Sequence, residues 1–167
     1  MTVAEQAGQG QEIRRVGDGP AGHNPFAGLV PITPAYARRP IDEGFNWVEC
    51  VAEIAEAEWY LVVFRSVRRC SADSDVLTAY DDRAFEEAAR APGFLFYFKG
   101  AMAEHGECLS FCLWDRLYQA KIAARYSAHV AATQIVDQMY ESYTLERYVV
   151  MKAPDVENGR LLFLPLA

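Results

Sequence analysis

The sequence predicts an α+β fold with the order β-α-β-β-α-β, in which a four-stranded antiparallel sheet carries both helices on one face. Four short runs rich in β-branched and aromatic residues are typical of strands. Stretches with apolar residues at helical spacing separate the first run from the second and the third from the fourth. A short polar turn joins the second and third runs, which indicates a hairpin. Right-handed crossovers then put strands one and three in the middle of the sheet.

The first half of this unit begins with a strand at Trp59 to Val67, WYLVVFRSV. Ser71 to Asp75 follows and is dense in residues that cap helix N-termini. The first helix then runs to Pro92-Gly93, a pair that ends helices. Its apolar residues recur at helical spacing: Val76, Leu77, Tyr80, Phe85 and Ala88.

The second half contains the hairpin, the second helix and the last strand. Strand two, Gly93 to Gly100, and strand three, Glu107 to Trp114, flank a turn near Glu104-His105-Gly106. Asp115 is the expected cap of a helical stretch that reaches about Glu141, and Ser127 can restart the helix after a break. Its apolar stripe comprises Ile122, Tyr126, His129 or Val130, Thr133, Val136 and Tyr140. Strand four covers Tyr143 to Met151.

The segments outside the predicted domain, residues 58–153, divide into three parts. Residues 1–22, rich in Gly, Gln and Ala, are predicted to be a disordered leader. Residues 23–57 are predicted to form a Pro-rich arm and a short helix that Asp42 caps, packed on a domain surface or on a partner chain. The apolar residues of this arm should be buried: Phe26, Leu29, Val30, Ile32, Tyr36, Phe45 and Trp47. In the tail, 154–167, the apolar run Leu161 to Pro165 can dock as an edge strand.

Composition and charge exclude several classes of protein. The formal net charge of −7 argues against nucleic-acid binding, which usually needs a basic face. The arginine pairs at 14/15, 38/39 and 68/69 are scattered and are expected on the solvated surface. No segment is long and apolar enough to span a membrane, and no export signal is visible, so we expect a cytoplasmic protein with reduced cysteines.

Motifs for metal and nucleotide sites are absent from the sequence. Cys108 and Cys112 lie four apart on one strand, roughly 13 Å, which is too far for a disulfide. Their spacing is also not a zinc pattern. The three histidines are well separated, and no phosphate-binding loop or nucleophile elbow occurs. We therefore expect no metal and no nucleotide cofactor.

Alternation along strand three separates two faces of the sheet. One set of residues is wholly apolar, namely Leu109, Phe111 and Leu113, and is expected to meet the helices. The other set is mixed and is expected on the open face: Cys108, Ser110, Cys112 and Trp114. On the other strands, Tyr97, Lys99, Glu146 and Tyr148 are assigned to the same open face. An apolar face of this kind would not stay in water, so two copies packed sheet to sheet are predicted, giving a homodimer.

Four segments resemble the antibiotic biosynthesis monooxygenase-like superfamily of dimeric α+β barrels, which have a ferredoxin-like fold. These segments are EWYLVVFRS from Glu58, ECLSFCLWD from Glu107, AHV from Ala128 and YTLERY from Tyr143. The resemblance covers about residues 58–153. It implies a pocket between helices and sheet, or inside the barrel, that holds a flat or hydrophobic ligand. Trp114 matches a Trp that often follows the third strand, and His129 matches a His common in the second helix. The Asn that accompanies this Trp in haem-degrading and quinone-forming members is not visible here.

The candidate site residues follow from the open face and from this resemblance. His129, Tyr97 and Glu146 are candidate catalytic residues, because an imidazole, phenol or carboxylate can move a proton when burial tunes its pKa. Trp114 can stack on an aromatic ligand. The remaining substrate-binding candidates are Tyr148, Lys99, Cys112, Ser110 and Phe64.

The predicted function is a tailoring enzyme of secondary metabolism that acts on a small apolar or aromatic, polyketide-like molecule. The reaction would be oxygenation without a bound organic cofactor, or cyclisation. One alternative is a haem-binding or haem-degrading protein with His129 as the iron ligand. Another is a dimeric ligand-binding or stress protein with a pocket but no chemistry.

Overall fold

A computed structural model describes residues 12–15, as backbone only, together with 24–154 and 160–167. The strands are β1 (Glu12–Arg15), β2 (Ala57–Arg68), β3 (Phe94–Lys99), β4 (Glu107–Trp114), β5 (Tyr140–Lys152) and β6 (Leu162–Pro165). The helices are α1 (Trp47–Cys50), α2 (Ser74–Ala89), α3 (Leu117–Ala123), α4 (Ser127–Gln134) and α5 (Val136–Met139). Short 3-10 turns lie at Pro25–Gly28, Tyr36–Arg38 and Ile41–Glu43. No helix among the described residues has the length and apolar character needed to cross a membrane.

The strands form one antiparallel sheet with the order β1-β3-β4-β2-β5-β6. Its four central strands have the predicted α+β order, with the first and third strands of the β-α-β-β-α-β unit, β2 and β4, in the middle. The sheet has six described strands, the four of the predicted unit and one at each edge, and it is open. β6 is the expected edge strand. β1 lies in the stretch, residues 1–22, that was predicted to be disordered. Residues 12–15 differ from that prediction because they pair with β3.

The helical regions differ from prediction mainly in length. Asp73, within the predicted capping stretch Ser71 to Asp75, caps α2, since its carboxylate accepts from the backbone N–H groups of Asp75 and Val76. The second stretch is divided into α3, α4 and α5, and α4 restarts at Ser127 as predicted. Asp115 does not cap this stretch, because Arg116 occupies the N-cap position of α3.

The arm, residues 24–56, packs on one face of the central strands. The arm and sheet residues of this face form one buried cluster: Phe26, Leu29, Tyr36, Ile41, Phe45, Trp47 and Val51 against Leu61, Val63, Phe96, Phe98, Leu109, Phe111, Leu113 and Val150. The predicted burial of the arm is confirmed except at Val30 and Ile32, which are 37% and 63% exposed. The predicted helix from Asp42 to Ala57 is wrong. Asn46 instead bonds the backbone of Val30 and Gly28, which holds this stretch as turns with only the short α1.

The assignment of the two sheet faces was therefore reversed. The wholly apolar set of β4 meets the arm, and the mixed set meets the helices. The physical reason is size: the arm brings aromatic rings that need an apolar sheet face, whereas α3 contributes the small side chains of Ala120 and Ala123. Because the helices cover the mixed face and the arm covers the apolar face, the argument for a sheet-to-sheet dimer loses its premise, and the homodimer stays a prediction.

Candidate functional site

A cavity of about 840 Å³ lies between the sheet and helices α2 to α5. On each central strand, the alternate side chains that point toward the helices form the floor of the cavity: Tyr60, Val62, Phe64, Ser66, Tyr97, Lys99, Cys108, Ser110, Cys112, Trp114, Tyr143 and Leu145. Helix residues form its roof: Leu77, Asp81, Phe85, Ala88, Leu117, Ala120, His129, Thr133 and Val136. A pocket between helices and sheet is one of the two locations that the superfamily resemblance implied.

One end of the cavity is apolar and aromatic. Tyr60 and Trp114 are direct partners on β2 and β4, and both are buried. The ring of Phe94 meets Trp114 edge to face, with centroids 4.9 Å apart. The indole N–H of Trp114 donates to Cys112 Sγ at 3.1 Å, so its polar atom has a partner. This end offers flat apolar walls of the kind that accept an aromatic ring.

The opposite end of the cavity is polar. It lies at the other end of the same strands, where Ser66 pairs with Cys108 on one side and with Tyr143 on the other. The Tyr97 hydroxyl donates to Asp81 Oδ1 at 2.5 Å, and Lys99 Nζ lies 2.7 Å from Asp81 Oδ2. Burial and the neighbouring Asp81 raise the pKa of Tyr97 well above that of a free phenol. Tyr97 is therefore held protonated, and its proton is directed to Asp81.

Two further phenols and an arginine complete the polar end. The rings of Tyr140 and Tyr143 lie 5.3 Å apart, and burial raises the pKa of both hydroxyls. Arg68 lies opposite Tyr140, next to an irregularity in the β2–β5 register. Its Nη1 donates to Ser74 Oγ at 3.2 Å. Its Nε is enclosed and has no hydrogen-bond partner among the described residues.

His129 projects from α4 as part of the cavity lining. Burial lowers its pKa below the usual value of a histidine, because a charged imidazolium is poorly solvated there. The neutral imidazole therefore dominates at neutral pH, and this form can accept a proton.

Most of the predicted site residues line this one cavity. Tyr97, Lys99, Ser110, Cys112, Trp114, His129 and Phe64 do so. Glu146 and Tyr148 do not, which corrects their assignment to the same face as Tyr97. Glu146 lies opposite Val63, whose side chain faces the arm, so alternation directs Glu146 to that side too. There it accepts from Arg65 Nε at 2.5 Å and from the Tyr148 hydroxyl at 2.9 Å.

Sequence reasoning missed Asp81 and Arg68. Asp81 follows Leu77 by four residues and precedes Phe85 by four, so helical spacing put it on the apolar stripe of α2. A carboxylate on that stripe was a usable signal. Arg68 was assigned to the solvated surface as half of an arginine pair. On β2, however, it follows Phe64 and Ser66 at steps of two residues, so its side chain points to the same face of the sheet as theirs. Strand alternation could have placed it on the cavity face.

A second, more open cleft of about 1050 Å³ lies beside the arm. It is lined by Arg38, Arg39, Arg65, Asp42, Glu146 and Tyr148, among others. Three of its arginines are already in ion pairs: Arg65 with Glu146, Arg38 with Glu107 and Arg39 with Glu43. Arg38–Glu107 joins the arm to β4, and Arg65–Glu146 joins β2 to β5, so these side chains already have structural partners, which makes this cleft a weaker candidate for ligand chemistry. No group of three or more His, Cys, Asp and Glu residues that could hold a metal ion occurs in the part of the chain that the structure describes.

A protein-family model described as PB2B2.08-like matches residues 22–162, which include both the arm and the cavity. The chain belongs to the PB2B2.08-like family. No curated protein matches this PB2B2.08-like protein.

Solved structures resemble the PB2B2.08-like protein in fold. Protein SO0527 from Shewanella oneidensis has a TM-score of 0.50 at 14% identity, covering 56% of this chain and 92% of that one. SnoaB, described as a cofactor-independent oxygenase from Streptomyces nogalater, has a TM-score of 0.45 at 12% identity, covering 55% and 91%. A dimeric ferredoxin-like protein of unknown function from Thermobifida fusca has a TM-score of 0.46 at 14% identity, covering 55% and 91%.

At these identities the likeness shows the fold alone. The fold shared with SO0527 is an α+β fold, as predicted, and membership of the antibiotic biosynthesis monooxygenase-like superfamily stays a prediction. Nearly all of SO0527 matches little more than half of the PB2B2.08-like protein, so the rest of this chain has no counterpart in SO0527.

Proposed function

We propose that the PB2B2.08-like protein is an enzyme that binds a small, largely apolar and aromatic molecule in the helix-to-sheet cavity and removes a proton from it. The product of this step would be oxygenated without a bound organic cofactor, or cyclised. The observation that carries the proposal is one cavity that joins an aromatic wall at Trp114 to a neutral, half-buried imidazole at His129. The name of SnoaB is compatible with this chemistry, but its likeness to this chain adds no argument.

His129 is the better of the predicted bases. Its lowered pKa keeps the imidazole able to accept a proton at neutral pH. Tyr97 has the opposite property, since its raised pKa and its bond to Asp81 keep it a phenol. Both carboxylate oxygens of Asp81 are engaged by Tyr97 and Lys99, which leaves them less available than His129.

The chemistry asks for an acidic C–H group on the substrate. His129 would take that proton and leave a carbanion, which an aromatic system can delocalise. In the oxygenation of a methylene to a carbonyl, O₂ supplies one atom to the substrate and the other leaves as water, with the substrate as the electron donor. The enclosed aromatic end would keep water away from the carbanion. In a cyclisation, the same carbanion would attack a carbonyl of the same molecule.

The test uses a set of polycyclic aromatic ketones with an acidic methylene. Calorimetry measures their binding, hydrogen–deuterium exchange measures removal of the methylene proton, and oxygen uptake measures oxygenation. We expect binding and exchange with the unmodified protein, binding without exchange in His129→Gln, and weakened binding in Trp114→Leu. His105→Gln is the control, because His105 is exposed in the β3–β4 turn.

The other outcomes separate the alternative functions. Binding without exchange or oxygen uptake in the unmodified protein would leave a ligand-binding protein with no chemistry. A haem titration followed by absorbance belongs to the same experiment. A Soret band that shifts on binding and is lost in His129→Ala would replace the proposed reaction by haem chemistry.

A further inference from the structure

We propose that the ligand of the helix-to-sheet cavity carries an anionic oxygen, a carboxylate or a phenolate, and that Arg68 binds it at the polar end. This inference rests on the proposed ligand binding, but not on the proposed reaction. It names the substrate class more narrowly than an apolar aromatic molecule, and it assigns Arg68 the role of determining specificity.

The first observation is the charge of the cavity lining. Five cationic side chains line the cavity: Arg68, Lys99, Lys121, Arg125 and Arg147. The carboxylate side chain among the described lining residues is Asp81, and Lys99 is paired with it. The whole chain has a formal charge of −7, so the sign of the lining is opposite to that of the protein. A cleft of one sign with low-dielectric walls concentrates ligands of the other sign.

The second observation is the unused donor on Arg68. The guanidinium is steadied through Nη1 by Ser74 Oγ, at the first residue of α2. Its Nε is closed off from solvent and has no hydrogen-bond partner among the described residues. Leaving a buried donor unpaired is unfavourable, and more so on a charged group. An anionic oxygen in the cavity would remove this cost, and guanidinium geometry suits carboxylates in particular.

The neighbours of Arg68 are consistent with an oxygen-binding end. Arg68 is close enough to Tyr140 and Cys108 that its positive charge opposes the rise in their pKa values that burial causes. No carboxylate among the described residues forms an ion pair with Arg68, in contrast to Arg65 and Lys99. Arg68 lies eight residues along β2 from Tyr60, the partner of Trp114, a distance of roughly 26 Å, so a ligand whose acidic group binds Arg68 places its ring at the polar end beside Tyr140 and Tyr143.

The test compares two probes of nearly the same shape, 2-naphthoate and 2-naphthamide, by calorimetry at pH 7. We expect the unmodified protein to bind the carboxylate at least about tenfold more tightly, since a hydrogen bond to a charged group contributes about 1.5–3 kcal/mol. Arg68→Gln should abolish this preference and change the affinity for the amide less than about twofold. Arg68→Lys, which keeps the charge but loses the planar fork, should retain part of it.

Two controls complete the experiment. Arg69→Gln removes the same charge from the adjacent residue, whose Nε donates to the Asp137 carbonyl, and should leave the preference intact. 2-Naphthol, measured below and above the pH at which it ionises, separates the two anion sources. A preference for the naphtholate and not for the naphthoate would assign phenolates as the ligand class.

Equal affinity for charged and neutral probes would overturn the inference while leaving the proposed function standing. A preference that survives in Arg68→Gln would overturn the role of Arg68. If none of the naphthalene probes binds, both the proposed binding site and this inference fail.

Discussion

The two faces of the central sheet differ in how completely they are filled. On the arm face, rings of the arm and of the sheet interlock: Phe45 lies 4.9 Å from Phe98 and 5.0 Å from Phe111, both edge to face. On the helix face, the same strands present Tyr97, Ser110 and Cys112 to a cavity. One face therefore provides stability and the other provides space. A single sheet can do both because alternate residues are independent in sequence.

The difference shows what leaves the cavity open. The helices contribute alanines above much of the sheet, including Ala84, Ala88, Ala120 and Ala123, so the distance between helix and sheet is not filled from the helix side. The arm takes over the burial of large apolar side chains that the helices do not provide. We infer that the arm is what allows the helix face to be kept for a ligand.

The largest expected effect is a loss of stability on the arm face. Phe111→Ala removes a fully buried ring in contact with Phe45, Trp47 and Phe98, and should lower the free energy of unfolding by about 3–5 kcal/mol. Phe64→Ala, on the cavity face of β2, should cost clearly less, because one side of that ring already borders empty volume. Urea unfolding of both variants measures the difference. Equal losses would contradict the contrast between a filled face and a hollow one.

A smaller loss is expected when the polar anchor of the arm is removed. Arg65 donates to Glu146 and to the carbonyls of Ala37 and Arg39, and its side chain is 23% exposed. Arg65→Met should cost about 1–3 kcal/mol, because it leaves a half-buried carboxylate and two carbonyls without their donor.

The exposed pair Arg38–Glu107 is the matched control for this anchor. The Arg38 side chain is 61% exposed, and Arg38→Met should destabilise the protein clearly less than Arg65→Met in the same urea titration, because solvent screens an exposed ion pair. If Arg38→Met were the more damaging change, burial would not be what gives the Arg65 anchor its value.

The fold was largely predictable from sequence because its signals are local. Runs of β-branched and aromatic residues identified the four central strands, and the capping residues from Ser71 to Asp75 marked the start of α2. The assignment of faces was not predictable in the same way. Alternation separates Leu109, Phe111 and Leu113 from Cys108, Ser110 and Cys112. It does not say which of these two sets packs against the arm and which against the helices. The arm and the helices both offer apolar side chains, and only their packing in three dimensions decides between them.

The residues of the candidate site were predictable where the alternation of side chains between the two faces could be followed along a single strand. Tyr97, Ser110, Cys112 and Trp114 stay together for this reason. Glu146 was misplaced because both alternates of β5 are partly apolar, so its parity relative to β2 could not be fixed without the register. The pairing of Glu146 with Val63 supplies that information.

The reactivity of the cysteines should also distinguish buried from exposed sites. Burial raises the pKa of Cys50, in the arm, to about 11 and that of Cys112, in the cavity, to about 12, whereas Cys70 is exposed. At pH 8 the thiolate fractions of Cys50 and Cys112 are then about one in a thousand and one in ten thousand, and the thiolate is the reactive form. In a thiol-labelling time course, Cys70 should react first and Cys112 well after Cys50. Loss of the fast phase in Cys70→Ser would assign that phase to Cys70. Rapid labelling of Cys112 would contradict the raised pKa of its thiol.

The smallest expected effect is on the pH dependence of stability and concerns His129. Its pKa is lowered in the folded state by burial, so between the folded and unfolded pKa values the unfolded chain binds more protons at this site. Stability should therefore be unaffected by His129 well above pH 6.5, fall as the pH drops below that value, and level off below the folded pKa. The slope should be a fraction of the roughly 1.4 kcal/mol per pH unit that one full proton would give, because the side chain is only half-buried.

Urea unfolding between pH 5 and 8 should show a flatter profile of stability against pH in His129→Gln than in the unmodified protein. The exposed His105→Gln is the control, and if it flattened the profile while His129→Gln did not, the imidazole of His129 would not be in a desolvated environment and its suitability as the base in the cavity would lose its support.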